Sequence, residues 1–334
     1  MKIIVRAPNW IGDSILAVSA IDSLNKNFPQ AQIWIAAKGW VKDLFSSYEF
    51  IKGIIPLPAA NNFKSLMNSA QKIKKFNFDT GVLLTNSFSS ALLFYLAKIP
   101  QRWGYSRDGR GILLTKGVAL KRQEDSSHQA NYYLGLIAGL GLKTSPPRLS
   151  FPLNQEEKVK AKETLLSLNV DFKQPLIILN PGATYGSAKR WPAEKYAKLA
   201  TLLQERKKAD ILILGSQDEA GLAESIASSM KKKPLSLVGK TSLRLLAGLI
   251  SHADLFVTND SGPMHIANAL KIPVTAIFGP TDPSITGPFQ KPAVVIKKDV
   301  ACWPCSYREC PFDHRCMLNI NPEEVFGVCE KILQ

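Results

Sequence analysis

The chain is poor in the features that assign a protein quickly. No apolar run approaches the roughly eighteen residues of a membrane-spanning helix, Ala91 to Ala97 being the nearest, so a helical membrane protein is excluded. Arg6 and Pro8 interrupt the apolar start before a signal-peptide core can form, and the expected location is therefore cytoplasmic. There is no GxxxxGK[ST] phosphate loop and no GxGxxG dinucleotide fingerprint, Gly12 standing alone in its loop. Neither a recognisable RNA- or DNA-binding motif nor a short internal repeat is found. Acidic residues are scarce in the first half: residues 1–150 hold 8 Asp+Glu against 19 Lys+Arg.

What is present reads as two α/β domains. At 334 residues the chain exceeds one ordinary core, and its 46% hydrophobic and 21% charged residues describe a globular protein. Short apolar strands alternate with helical patterns from Lys2 to Lys98, which argues a parallel sheet covered on both faces. Within this run Ser14 to Asn27 and Trp40 to Ser46 are expected to be helices, and Phe63 to Phe76 a third. Gln101 to Gln123 is expected to form loops and short strands at an edge. Pro146 and Pro147 break the pattern, and the alternation resumes beyond them, so the expected domains are residues 1–146 and 147–321.

The net charge of +15 falls mainly on the first domain, which attracts polyanions: nucleic acid, an anionic membrane or a phosphorylated substrate. Lys64, Lys72, Lys74 and Lys75, with Phe63, Leu66, Met67, Ile73 and Phe76, fit either a membrane-surface helix or one whose apolar side faces the core.

Two strand-to-helix loops of the second domain carry the strongest chemical signals. Asn180 to Pro192, NPGATYGSAKRWP, combines small residues that admit a ligand to the backbone with the cations Lys189 and Arg190, and points to phosphate. In Thr258 to Leu270, Asp260 and Ser261 are expected to cap a helix whose first amides, at Ser261 and Gly262, favour an anion. Asp13, after the first strand, is either a general base or an N-cap. His265 is either catalytic or a half-buried structural histidine. Cys302, Cys305, Cys310 and Cys316 are spaced C-x2-C-x4-C-x5-C, a metal knuckle or a local structural cluster.

Taken together, Asn9-Trp10-Ile11-Gly12-Asp13, Thr85-Asn86-Ser87-Phe88, Asn180-Pro181-Gly182-Ala183 with Ala188-Lys189-Arg190-Trp191-Pro192, and Thr258-Asn259-Asp260-Ser261-Gly262 with Met264-His265 resemble the ADP-heptose:lipopolysaccharide heptosyltransferases, glycosyltransferase family 9. The likeness spans nearly the whole chain and leans to the type II members. It implies a GT-B fold of two Rossmann-like, doubly wound domains facing across a cleft, with residues 322–334 packing back on the first.

The implied activity is an inverting transfer of heptose from ADP-heptose to heptosyl-Kdo2-lipid A. The alternatives are a type I enzyme, another nucleotide-sugar transferase, or a basic nucleic-acid-binding protein without activity. The resemblance gives Asp13 the role of base and Lys189 that of phosphate and sugar contact. It gives Thr184, Tyr185, Glu219, Asp260, Ser261, Gly262 and His265 to donor binding. No cofactor is implied, with Mg²⁺ as a stimulant. A monomer peripheral to the cytoplasmic face of the inner membrane, with no nucleic-acid partner, is expected.

Overall fold

The computed structural model describes residues 1–59, 62–120 and 127–334. The chain divides into two compact units, Met1–Pro152 and Leu153–Gln334.

In the first unit the strands are β1 (Lys2–Arg6), β2 (Gln32–Lys38), β3 (Ile51–Leu57), β4 (Thr80–Leu83), β5 (Gln101–Tyr105) and β6 (Lys116–Val118). They form one parallel sheet in the order β3-β2-β1-β4-β5-β6. Ile3, Ile4 and Val5 are buried throughout, because helices cover both faces of a parallel sheet. The edge expected over Gln101 to Gln123 is built by β5 and β6, its last three residues lying outside the described ones.

The helices are α1 (Ile11–Leu16), α2 (Val18–Asn27), α3 (Phe63–Lys74), α4 (Phe88–Leu96) and α5 (Gln129–Gly139). The helix expected from Ser14 starts earlier, at Ile11, and breaks at Ala17 into two. The helix expected over Trp40 to Ser46 is a 3-10 segment, Lys42–Phe45. Leu66, Ala70, Ile73 and Phe76 pack into the first core, while the four lysines of this stretch and Phe63 face water. The core-facing reading therefore accounts for Leu66, Ile73 and Phe76 among the apolar positions named for this stretch, while Phe63 and Met67 stand outside the cluster.

The second unit repeats the plan with β7 (Leu176–Asn180), β8 (Asp210–Ile213), β9 (Leu235–Ser236), β10 (Leu255–Asn259), β11 (Val274–Phe278) and β12 (Ala293–Lys297). Its parallel order is β12-β11-β10-β7-β8-β9. Counted from its own first strand, this is the 3-2-1-4-5-6 order of the first unit, which is that of the Rossmann fold. Its helices are α6 (Gln155–Ser167), α7 (Ala193–Lys207), α8 (Ala220–Ser228), α9 (Leu243–Ile250), α10 (Gly262–Ala269), α11 (Pro283–Thr286), α12 (Arg315–Leu318) and α13 (Pro322–Ile332).

Val325, Phe326 and Cys329 of α13 belong to the core of the second unit, and Lys198 of α7 pairs with Glu323 at 2.5 Å. Within the second unit, α13 packs against α7 and β11. Among the described residues no helix is long and apolar enough to cross a membrane.

In sheets of this order ligands bind outside the carboxyl ends of the strands, where the winding direction reverses. That point lies between β1 and β4 in the first unit and between β7 and β10 in the second. The loops following these four strands include most of the residues singled out from the sequence.

Candidate active site

In the second unit Asn259, at the end of β10, ties the two loops together. Its Nδ2 donates to Pro181 O at 2.6 Å, and its Oδ1 accepts from the Trp191 amide at 3.2 Å and the Tyr196 hydroxyl at 3.1 Å. Asn180 Nδ2 donates to Ser261 Oγ at 3.3 Å, and the hydroxyls of Ser261 and Thr258 lie 3.0 Å apart. Buried polar groups require such partners, and here they fix both loops to one geometry.

Lys189 Nζ lies 2.5 Å from Asp260 Oδ2, with side-chain exposures of 10% and 6%. Thr281 Oγ1 donates to the same carboxylate oxygen at 2.7 Å. The ammonium also stands 4.6 Å from the centroid of the Tyr185 ring. Removed from water, the two charges hold each other in place.

The expected caps are not formed. Ser261 occupies the N-cap position of α10 without capping through its side chain, since its hydroxyl is engaged with Asn180 and Thr258. Asp260 faces Lys189 instead. The first amides of α10 consequently carry no side-chain cap, at the positive end of the helix. His265 is buried at 4% exposure within α10.

Glu219 is buried and closes a capping box with Ser216, accepting from its amide at 2.7 Å. The carboxylate lies behind Gly182, where a Cβ would fall 1.8 Å from Oε1. Thr184 is exposed and Tyr185 half-buried. The loop carrying them leans on the cysteine segment: the Tyr185 hydroxyl donates to Ser306 O at 2.9 Å, the Ala188 amide to Arg308 O at 3.0 Å, and His314 Nε2 lies 2.8 Å from Ala188 O.

The first unit has a cavity of about 400 Å³ lined by Arg6, Asn9, Lys38, Ser87, Ser89 and Ser90 among others. Arg6 Nη2 donates to Asn9 Oδ1 at 2.6 Å, and Lys38 Nζ to Pro58 O at 2.6 Å. Both cations are buried. Desolvation lowers Arg6 to about 10, and lowers Lys38 with help from the charge on Arg6. Among the described residues no carboxylate pairs with Arg6.

Asp13 is half-buried and is the third residue of α1, not its N-cap, which is Trp10. The Tyr133 hydroxyl donates to its carboxylate, and burial first, then the charge of Asp13, holds that phenol well above its usual range. Asn86 Nδ2 donates to the Tyr132 hydroxyl at 2.7 Å, and buried Arg110 donates to Asn86 Oδ1 at 3.2 Å.

Lys189, Asp260 and Ser261 are therefore brought together, with Tyr185 beside them, whereas Glu219 stands behind Gly182. Asp13 belongs to the first unit with a partner of its own. Sequence reading missed Thr281, although Gly279-Pro280-Thr281-Asp282-Pro283 is itself a strand-to-helix loop beside β10's. It also missed Arg6 and Lys38, whose signal was a charge closing an otherwise buried strand. Tyr133 offered no local signal.

Comparison with known proteins gives the family and the fold. Residues 66–315 match the model of glycosyltransferase family 9 (heptosyltransferase). The lipooligosaccharide heptosyltransferase 2 of Campylobacter jejuni is 31% identical over 341 residues, covering 100% of this chain and 99% of that one. The lipopolysaccharide heptosyltransferase 2 of Escherichia coli K12 is 31% identical over 307 residues, covering 89% and 88%. The solved structure of E. coli ADP-heptose lipopolysaccharide heptosyltransferase II superposes with a TM-score of 0.85 at 27% identity, covering 100% of this chain and 98% of its own.

Proposed function

The chain belongs to glycosyltransferase family 9, the heptosyltransferases, and is a glycosyltransferase of the GT-B class; from that premise we propose that it moves heptose from ADP-heptose to a heptosyl-Kdo2-lipid A acceptor. The observation that carries the donor half is the pair of loops after β7 and β10, stitched together at the winding reversal, with Lys189 beside the uncapped start of α10. A diphosphate leaving group gathers negative charge as the glycosidic bond breaks, and a fixed cation with helix amides opposes that charge most in the transition state. Tyr185, Thr184, Gly262 and His265 complete the donor loops in this reading, and Glu219 takes the adenosine ribose.

Asp13 is the proposed general base. It removes the proton of an acceptor hydroxyl as that oxygen attacks the anomeric carbon from the side opposite ADP, which inverts the configuration in one step. The Tyr133 hydroxyl steadies its carboxylate. The pocket floored by Arg6 and Lys38 supports an anionic acceptor. The basic charge of this unit supports a peripheral contact with an anionic membrane at the cytoplasmic face. No cofactor beyond the donor is required in this reading, Mg²⁺ acting as a stimulant and the enzyme as a monomer. Membership of a transferase family sets aside the non-catalytic nucleic-acid reading.

The test is to incubate the protein with ADP-heptose and acceptors carrying zero or one heptose. Transfer to the one-heptose acceptor is expected, and transfer to the heptose-free acceptor alone would sink the type II assignment. Asp13→Ala should lose on the order of 10²–10⁴-fold in rate. Undiminished transfer by that variant would remove Asp13 from the mechanism.

A further inference from the structure

The donor loops carry less free positive charge than a diphosphate calls for. Lys189 Nζ lies 2.5 Å from Asp260 Oδ2, so the ammonium is already offset by a carboxylate before any phosphate arrives. Arg190, the other cation of the same loop, turns back on it, its Nη2 donating to Ala183 O at 3.5 Å. The first amides of α10 supply partial charges only. A leaving diphosphate gains a full negative charge as its bond breaks, and a cation without an acidic partner opposes that charge best.

Arg308 is such a cation. It lies in residues 298–314, which form neither helix nor strand, and its side chain is exposed. Its carbonyl oxygen accepts from the Ala188 amide at 3.0 Å, which fixes it beside the loop of Lys189. Its guanidinium carbon stands 5.2 Å from the centre of the Tyr185 ring, and Lys189 Nζ stands 4.6 Å from the same centre. The ring is anchored in turn, the Tyr185 hydroxyl donating to Ser306 O at 2.9 Å. Among the described residues no carboxylate forms an ion pair with Arg308. A solvated surface arginine has no such fixed place; this one is held next to the donor loop by its own backbone and by an aromatic face.

We propose that Arg308 is a substrate contact of the donor site, binding the sugar-linked phosphate of the nucleotide sugar. The inference rests on the donor-site reading of the loops after β7 and β10. Arg308 shares the Tyr185 ring with Lys189, whereas Glu219, at the ribose end in that reading, stands behind Gly182, which places Arg308 at the sugar end of the diphosphate. The planar guanidinium donates two N–H bonds to two oxygens of one phosphate. When the bond from the anomeric carbon to that phosphate's oxygen breaks, the electron pair stays on the oxygen, and Arg308 opposes the charge where it gathers. No proton passes to or from the guanidinium. Support of the loop and contact with phosphate are separable, because the carbonyl that holds Ala188 persists when the side chain is cut back.

Calorimetric titration of ADP and of AMP into the unaltered full chain, Arg308→Ala and Arg308→Lys tests this. Arg308→Ala should bind ADP about tenfold more weakly, the loss of one charge-assisted contact. AMP lacks the phosphate in question, so its affinity should not change. Arg308→Lys keeps the charge without the fork and should fall between. For transfer, kcat/KM of Arg308→Ala should drop further, about a hundredfold, because the contact is strongest in the transition state. Hydrogen exchange at the Ala188 amide should stay slow in Arg308→Ala. ADP and AMP weakened alike would make Arg308 a support of the loop and overturn the proposal. So would unchanged ADP affinity in Arg308→Ala while ADP protects the β7 and β10 amides of the unaltered protein. If ADP protects neither strand in the unaltered protein, the nucleotide site itself is lost and the proposal falls with it, an outcome distinct from the other two.

Discussion

Lys189 and Asp260 place opposite charges within 2.5 Å in a region that water scarcely reaches, so each is tolerated because of the other. Truncating one member leaves an uncompensated buried charge, a cost of about 3–5 kcal/mol in comparable cases. Asp260→Ala should therefore lose about that much stability in urea unfolding, and Asp260→Ala with Lys189→Met should recover part of it. A double variant no more stable than the single one would show that the pair is not what holds these loops. Both residues were legible as parts of phosphate loops, but their pairing was not, because it joins positions 71 residues apart. Tyr133 and Tyr196 give a second test at this scale. Burial raises both phenols well above 10, so they stay neutral in the folded protein while the unfolded chain ionises. Their contribution is fully present below pH 10 and is lost as pH rises above it toward the folded values, at about 1.4 kcal/mol per pH unit for each residue. Tyr133→Phe should reduce that alkaline slope by about one residue's share, measured by urea unfolding across alkaline pH. An unchanged slope would mean that Tyr133 ionises while the protein is folded.

At the level of elements, alternation of buried strands and helices was readable because a parallel sheet demands apolar runs and covering helices at regular spacing. Ends of elements were less readable. Asp260 and Ser261 have the composition of a cap yet serve a lysine and a neighbouring loop, since tertiary partners outbid a local hydrogen bond. The support between Tyr185 and Ala188 was also hidden, being a contact between loops. Gly186 marks it: a Cβ there would fall 2.1 Å from the carbonyl oxygen of Arg308. Its backbone is extended, so the constraint is one of space and not of dihedral strain. Gly186→Ala should push the loops apart, weaken ADP binding about tenfold, and cost about 1–3 kcal/mol of stability. Hydrogen exchange at the Ala188 amide, which donates to Arg308, should quicken. Unaltered ADP affinity with that amide still protected would show that the donor loop does not depend on the cysteine segment.

Across the whole molecule, two units with one strand order arose without any repeat visible in the sequence, because the order depends on the hand of crossovers and not on residue identity. Each unit has its own buried cluster: Ile4, Ala36 and Leu83 in the first, Leu179, Val257 and Ile277 in the second. Separate cores allow the units to respond separately to a ligand that binds only one of them. ADP alone, on the donor-site reading, touches the loops after β7 and β10 and nothing after β1 or β4. Binding at 100 times its dissociation constant stabilises the state that binds it by about 2.7 kcal/mol. Amides of β7 and β10 should therefore exchange about a hundredfold more slowly with saturating ADP, while those of β1 and β2 keep their rates. An acceptor fragment bearing the anionic Kdo sugars, held by Arg6 and Lys38, should give the reverse pattern. Equal protection of both sheets by ADP would show that the two cores open as one, and protection of the first sheet alone would move the nucleotide site out of the second unit.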